Sequence, residues 1–429
     1  MKTNYRRFRR YFWLPAFLML PVPCAVAGAP WTLTSAPTVP WSSVATAADG
    51  TKLVAAAAES AGLIYTSTDS GATWTPTTAP ANYWRCVVSS ANGTKLAAAV
   101  AFQTVDVDNP GPNLIYTSTN SGATWAASGS PDNSWSFVAS SADGTKLVAA
   151  GYSSVTAQPT PLYVSTNSGM NWSAASTPNY LWASAASSVD GTKWVAAAFS
   201  QSNEYTGLIY ISTNSGASWT ATTAPSNFWV SIASSADGTK LVAASEEVAA
   251  YNSSGLIYIS TNSGATWTPT TADSPSWVSV ASSADGTKLV AAADDFNTDE
   301  TLPGGPIYIS GDSGVTWLAA NVPRGNWNSV ASSADGAKLL AAVLDGPTNN
   351  IYTFQTIPTP QLCVSPTSSQ VVISWIIPST NFVLQQNADL TATNWSNVTN
   401  TSMLNLSTLQ NQVTVCPSAK WNFYRLVSP

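Results

Sequence analysis

The chain has 429 residues, only 9% of them charged, with 19 Trp and no His. That length allows two or three domains. The lack of His excludes Ser-His-Asp and Cys-His nucleophilic sites and His-ligated zinc, and a composition rich in Ser, Thr, Ala, Gly and Asn points to β-structure in an exported protein rather than a helical cytosolic enzyme.

Residues 1–27 read as a signal peptide. Lys2, Arg6, Arg7, Arg9 and Arg10 precede a short apolar stretch from Tyr11 to Pro23, and Ala25-Val26-Ala27 forms an A-x-A cleavage site. The stretch is shorter than the roughly 20 apolar residues that span a bilayer, and no later segment is apolar enough to do so. The expected location of the mature chain is therefore periplasmic or extracellular. Removing the five leader cations leaves 11 Lys/Arg against 22 Asp/Glu, a net charge of about −11. Such a surface is a poor match for nucleic acid or an anionic membrane.

From Trp31 onward one pattern recurs. The octapeptides STDSGATW (Ser67–Trp74), STNSGATW (Ser118–Trp125 and Ser260–Trp267), STNSGMNW (Ser165–Trp172), STNSGASW (Ser212–Trp219) and SGDSGVTW (Ser310–Trp317) end in Trp residues 47 to 51 positions apart. Ten residues after each stands a second Trp: Trp84, Trp135, Trp182, Trp229, Trp277 and Trp327. Eight residues further comes an Asp/Asn-Gly turn, at Asn92, Asp143, Asp190, Asp237, Asp285 and Asp335. A seventh copy, Trp31, Trp41 and Asp49-Gly50, lacks the octapeptide, and its missing half stands at the far end as Ile351-Tyr352-Thr353-Phe354. Repeats of this length with four short strands each predict propeller blades. A last blade split between the chain ends closes the ring without an open sheet edge. Within a unit, Trp277–Ala292 reads as two strands around an Asp-Gly hairpin turn. A connection of variable length follows, then two strands joined by the octapeptide.

The octapeptide resembles the Asp-box, or BNR, repeat S-x-D-x-G-x-T-W of sialidases, some glycoside hydrolase propellers, sortilin-type receptors and photosystem assembly factors. The resemblance covers roughly residues 29–357 and implies a seven-bladed all-β propeller; it also implies that the boxes lie away from the functional face. Read from the residues, the boxes are scaffold. Asn120, Asn167, Asn214 and Asn262 replace the Asp found at Asp69 and Asp312. Asn keeps the acceptor that a turn needs and drops the charge that acid–base catalysis needs. The box Gly permits a positive φ, and the box Trp is expected to pack between blades.

Because the Asp-Gly turns and the boxes both join hairpins, they share one face. The connections between second and third strands share the other. Those connections carry 11 of the 22 mature acids, among them Glu204, Glu246, Glu247, Asp294 and Asp295, with Tyr205, Tyr251 and Phe296 interleaved. With Arg85 and Arg324 at blade entries, these residues are the candidate ligand-binding set. Carboxylates beside aromatics suit a glycan, a cell-surface or extracellular protein, or Ca2+. The bland alternative is a solvated polar surface. Asp294, Asp295, Asp299 and Glu300 form the densest acidic run, without EF-hand spacing, and no other cofactor is expected.

Sialidase chemistry, which the resemblance brings to mind, needs three converging Arg. The mature chain has Arg85, Arg324 and Arg425 only, and Arg425 lies beyond the repeats. A glycoside hydrolase needs only two carboxylates about 5–9.5 Å apart, which the loops supply without pairing them. Binding therefore ranks above catalysis, with glycoside hydrolysis the alternative. No P-loop or dinucleotide fingerprint is present.

The repeat ends near residue 358, giving a propeller over 28–357 and a module over 358–429. Strand-like runs at Val371–Ile377, Phe382–Asp389, Gln412–Cys416 and Asn422–Ser428 predict a small β-sandwich, loosely similar to immunoglobulin- or fibronectin-like modules. Cys363 and Cys416 near its ends are expected to form a disulfide. Cys86 is expected to be a small buried residue.

Overall fold

A computed structural model describes residues 31–59, 61–101, 113–153, 158–199, 207–246, 255–272, 276–294, 304–345, 349–355, 363–366, 370–376, 383–387, 394–400, 403–405, 410–415 and 423–427. The leader and Cys416, and with it the expected disulfide, lie outside these residues. Among the described residues no helix is long and apolar enough to cross a membrane.

Local chemistry sets the hairpins. The Gly of each Asp/Asn-Gly pair takes a left-handed conformation, with φ 66° at Gly50 and 69° at Gly238, which costs a side-chain-bearing residue energy. The preceding acid fastens the turn. Asp237 Oδ1 accepts from the Thr239 N–H at 2.9 Å and from the Ser235 hydroxyl at 2.6 Å. Strands of type Leu-Val-Ala-Ala-Ala follow the turn and are buried at every position, as at Leu53–Ala57 and Leu289–Ala293. Their small side chains let neighbouring sheets approach on both faces.

The result is a seven-bladed β-propeller. In blade one, the strands Trp41–Thr46, Leu53–Ala57, Ile64–Ser67 and Thr75–Pro76 form one antiparallel sheet in sequence order. The same order recurs through blade six, which runs from Trp277–Ser282 to Leu318–Ala319. Blade seven joins the chain ends as expected. Asn326–Ser332, Lys338–Asp345 and Ile351–Gln355 are completed by Thr32–Leu33, with Thr32 opposite Thr353 and Leu33 opposite Tyr352. Trp31 is buried against Phe354 at 5.4 Å between ring centres.

The first strands of consecutive blades stand side by side, and that of blade seven meets that of blade one. Three sets of inter-blade hydrogen bonds hold them. In the first, the N–H of Ala48 donates to the carbonyl of Ala91, and the relay continues through Ala142, Val189, Ala236, Ala284 and Ala334 back to Ala48, at 2.7–3.1 Å throughout. This backbone circle lies at the hairpin turns. In the second, hydroxyls two residues after the Trp accept from the next blade. Ser43 takes the N–H of Val87, Ser184 that of Ile232, Ser231 that of Val280, Ser279 that of Val330 and Ser329 that of Val44, at 3.1–3.3 Å. A bulge just after the Trp of each first strand, for example between Trp277 and Ser279, shifts the register beside these ties. In the third, the Trp indoles themselves donate to a carbonyl of the preceding blade, as Trp84 does to Gly62 at 3.0 Å and Trp327 to Gly305 at 2.9 Å.

Those second Trp residues are the true wedges. Trp41, Trp84, Trp229 and Trp277 are 0% exposed. The octapeptide Trp residues, expected to fill the inter-blade space, are only partly buried and pack at its margin, Trp74 against the blade seven–one cluster and Trp125 against the blade one–two cluster. Cys86, expected to be buried, is partly buried against two core clusters. It occupies the Ser position of blade two, on the wall of a central channel of about 360 Å³ that all seven first strands line. Its Sγ lies 3.5 Å from the Val138 carbonyl, and burial pushes its thiol pKa up.

Beyond the blades, Cys363–Pro366, Val371–Ile376, Gln410–Val415 and Met403–Asn405 form one sheet, and Ser396–Asn397, Val383–Asn387 and Phe423–Val427 a second. Ile373 and Val413 of the first sheet and Leu384 of the second share one core cluster, so the two sheets form a sandwich.

Candidate functional site

The face that carries the hairpin turns and octapeptides is committed to the frame. In every octapeptide the first Ser hydroxyl accepts the Gly N–H at 2.9 Å, as Ser67 does from Gly71. The third residue accepts the N–H four positions on, Asp69 from Thr73 at 2.8 Å and Asn120 from Thr124 at 2.9 Å. The fourth residue, Ser70 and its equivalents, has φ between 55° and 61°, and its N–H donates to the hairpin of its own blade, Ser70 to the Thr51 carbonyl at 2.9 Å. The lysine after the hairpin reaches the next blade. Lys193 Nζ donates to the Asp237 carbonyl at 2.8 Å and Lys288 Nζ to the Asp335 carbonyl at 2.7 Å. The Thr73 hydroxyl, then its N–H, hold Asp69 at a pKa of about 2. The Ser188 and Ser235 hydroxyls lead in doing the same for Asp190 and Asp237. Groups so fastened are ionised at neutral pH and satisfied by the turn, which suits structure rather than proton transfer.

The opposite face opens where the second strands end. The residue 17 positions after each second Trp stands there: Ala58, Ala101, Tyr152, Phe199, Glu246, Asp294 and Leu344. Four of the seven carry chemistry. The ring of Phe199 lies 4.7 Å from that of Phe228 in the next blade, and the Phe228 carbonyl accepts the Glu246 N–H at 3.0 Å. Burial pushes the Tyr152 phenol up, opposed by the nearby positive charge of Arg85. Arg85 is exposed at the bulge position of blade two. The exposed Arg324, on the link into blade seven, donates through Nη1 to the Gly304 carbonyl at 3.3 Å.

Glu246 and Asp294 come together. Glu246 forms an antiparallel bridge to Ser276. The Ser276 carbonyl accepts the Asp294 N–H at 2.8 Å, one step beyond the register pair Trp277–Ala293. Directly opposed residues of antiparallel strands place their side chains on the same side, about 5 Å apart at Cβ. Glu246, Ser276 and Asp294 therefore form one rung across blades five and six. Burial, then the charge of Asp294, raise the pKa of Glu246.

Of the sequence-predicted set, Arg85, Glu246, Asp294 and Arg324 lie on this face among the described residues. Glu204, Tyr205, Glu247, Tyr251, Asp295 and Phe296 lie outside them. Sequence reasoning missed Phe199, Phe228 and Ser276. The fixed 17-residue offset from the Trp would have found the first, and the position just before the Trp the other two.

No protein-family model matches the sequence, and no curated protein matches it. Solved structures do. Hydrazine synthase of Kuenenia stuttgartiensis is 14% identical over 76% of this chain and 97% of its own, with a TM-score of 0.58. The structure of YCF48 bound to D1 peptide is 15% identical over 79% and 100%, with a TM-score of 0.52. A GH74 enzyme of Niastella koreensis is 15% identical over 78% and 70%, with a TM-score of 0.44. At these identities the likeness to hydrazine synthase and YCF48 establishes the fold alone.

Proposed function

We propose that this chain is an exported, non-catalytic propeller of the Asp-box type, comprising residues 28–357 and followed by a separate module at 358–429, that captures a glycan or an extracellular protein on its loop face. One observation carries the reading. The turn face commits its polar side chains to the frame, whereas the loop face gathers the Phe199–Phe228 pair, Tyr152 with Arg85, and Glu246 with Asp294, and Tyr152, Phe199, Glu246 and Asp294 stand where the other blades carry Ala or Leu. Aromatic faces beside charged groups supply both contact area and orientation. The test incubates purified residues 28–429 with insoluble polysaccharides and with extracellular-protein extracts of the host. Depletion of the protein from solution by one class, lost in a Phe228→Ala variant that retains its unfolding midpoint, supports the reading. Depletion unaffected by Phe228→Ala moves capture to another surface.

The state of Glu246 favours a second reading. Burial, then the charge of Asp294, push the Glu246 carboxyl up, the direction in which a glycosidase general acid is tuned, with Asp294 as its partner. New reducing ends released from the same polysaccharides, and abolished by Glu246→Gln, would establish that reading in place of the first.

A further inference from the structure

We propose that the outer face of the C-terminal module's second sheet binds a polysaccharide that carries carboxylates, with Arg425 as the anchor. Alternation along the strands sets that face. Leu384, Tyr424 and Val398 turn inward to the module's core cluster, so their chain neighbours Gln385, Arg425 and Asn397 turn outward. The three share a rung, with Gln385 opposite Arg425 on one side and opposite Asn397 on the other. Neighbouring strands lie about 4.8 Å apart, so the rung is a flat row roughly 10 Å across. Arg425 and Asn397 are exposed, and Gln385 is half-buried.

The row has a direction, fixed by its one cation. A guanidinium can only donate, so Arg425 Nε, at 3.0 Å, faces the oxygen Oε1 of Gln385. That turns the Gln385 amide nitrogen toward the next strand, where it donates to Asn397 Oδ1 at 3.0 Å. Asn397 is left presenting its Nδ2, and Arg425 the end-on fork of Nη1 and Nη2. Both ends of the row are therefore donors, and both of its amide oxygens are engaged. Among the described residues nothing forms an ion pair with Arg425. The Trp395 ring steadies the guanidinium, its centre 4.4 Å from Cζ. Phe423, half-buried two positions before Arg425, stands on the same face opposite Asn387.

Charge singles out the module as the place for an anion. Residues 358–429 hold one acid, Asp389, against Lys420 and Arg425, whereas residues 28–357 hold 21 acids and nine bases. A guanidinium with its fork exposed, in the part of the chain that is not acidic, matches a carboxylate, which it takes through two parallel bonds. The rest of the face selects the polymer. A uronic acid ring offers oxygens along its edge, which accept from Asn397 and Arg425, and apolar C–H groups on its faces, which pack on aromatic carbon. A polypeptide would bring an N–H for each carbonyl, to a row whose oxygens are already engaged. The module site is independent of the capture surface on the propeller, and either can fail alone.

The experiment is interferometry of residues 28–429 on surfaces coated with polygalacturonate, its methyl ester or dextran sulfate. Salt is held at about 0.15 M, which screens charge beyond roughly 8 Å. The chain's net charge opposes binding to any polyanion, so retention requires a local site. The expected result is saturable binding to polygalacturonate and much weaker binding to the methyl ester. Arg425→Gln should lower the affinity about tenfold or more. Arg425→Lys, which keeps the charge and loses the fork, should lower it several-fold, and Asn397→Ala by less. Phe228→Ala on the propeller should bind in full. Arg425→Lys keeps a cation beside Trp395 and carries the test if Arg425→Gln lowers the unfolding midpoint. No saturable binding to polygalacturonate, equal binding to the methyl ester, or binding undiminished in both Arg425 variants overturns the proposal. Dextran sulfate held as tightly as polygalacturonate, with Arg425→Lys at full strength, also overturns it, because diffuse charge attraction needs no fork.

Discussion

The seven second Trp residues contain their own control. Trp84 is 0% exposed and donates to the buried Gly62 carbonyl at 3.0 Å. Trp182 is 2% exposed, yet its Nε1 has no partner. Trp→Phe at either site removes a similar amount of ring, a loss of about 1 kcal/mol in a core that relaxes partly. At Trp84 the change also removes one of two donors to the Gly62 carbonyl, which keeps the Asn82 N–H at 3.1 Å, so the lost hydrogen bond adds about 0.5–1.5 kcal/mol. At Trp182 it removes an N–H that was already unpaired, so the polar contribution is zero or favourable. Trp84→Phe should therefore cost roughly 1.5–2.5 kcal/mol, and Trp182→Phe about 1 kcal/mol or less. Guanidinium unfolding of both variants, compared at equal slope, reads the difference as a shift in midpoint. Equal midpoints within about half a kcal/mol, or the reverse order, would refute the claim that the indole ties between blades carry energy beyond burial.

Other parts of the frame give further expectations. Ser279→Ala leaves the Val330 N–H without the acceptor it has at 3.1 Å and should cost about 1–3 kcal/mol by the same guanidinium assay, whereas Cys86→Ser, which restores the residue found in five other blades, should be neutral or stabilising. Removing residues 28–34 strips the outer strand from Ile351–Gln355 and exposes a sheet edge; light scattering should show association of the truncated chain under conditions where residues 28–429 stay monodisperse. Asp190 and Asp237 have folded pKa values of about 2 against an ordinary 3.8. A depressed carboxyl stabilises the fold above its unfolded pKa, and that contribution disappears as pH falls through the folded value. The denaturant midpoint should therefore drop between pH values of about 4 and 2, and the drop should be smaller in the Asp190→Asn, Asp237→Asn double variant.

Legibility in the sequence followed repetition. Blade number, strand order and the split seventh blade could be read because the offsets from Trp to Trp and from Trp to Gly never vary, and an invariant offset reflects an invariant turn. The left-handed Ser70 and its five equivalents were not legible, because Ser is an ordinary turn residue and nothing in its identity signals φ. The interchanged roles of the two Trp sets escaped for a related reason. Both sets repeat perfectly, and spacing says nothing about depth. In the C-terminal module each strand occurs once, so the runs rich in Val and Ile could be read, while the short strands Ser396–Asn397 and Met403–Asn405, with polar or mixed residues, could not. The candidate site was half legible. Glu246 and Asp294 stand out as acids, but only the register across Ser276 places them in one rung.

That register explains why this architecture can host a site at little structural cost. The residue 17 positions past each second Trp ranges from Ala58 through Tyr152 to Glu246, and the backbone around it barely responds. Ala58 donates to Pro40, Ala101 to Tyr83, Glu246 to Phe228 and Asp294 to Ser276 through the same N–H, at 2.7–3.0 Å. The main chain supplies the bond, so the side chain is released from structural duty. On the turn face the opposite holds, because there the side chains of Asp, Ser and Lys make the bonds and cannot vary without loosening the ring. Variation thus collects on one face for a mechanical reason.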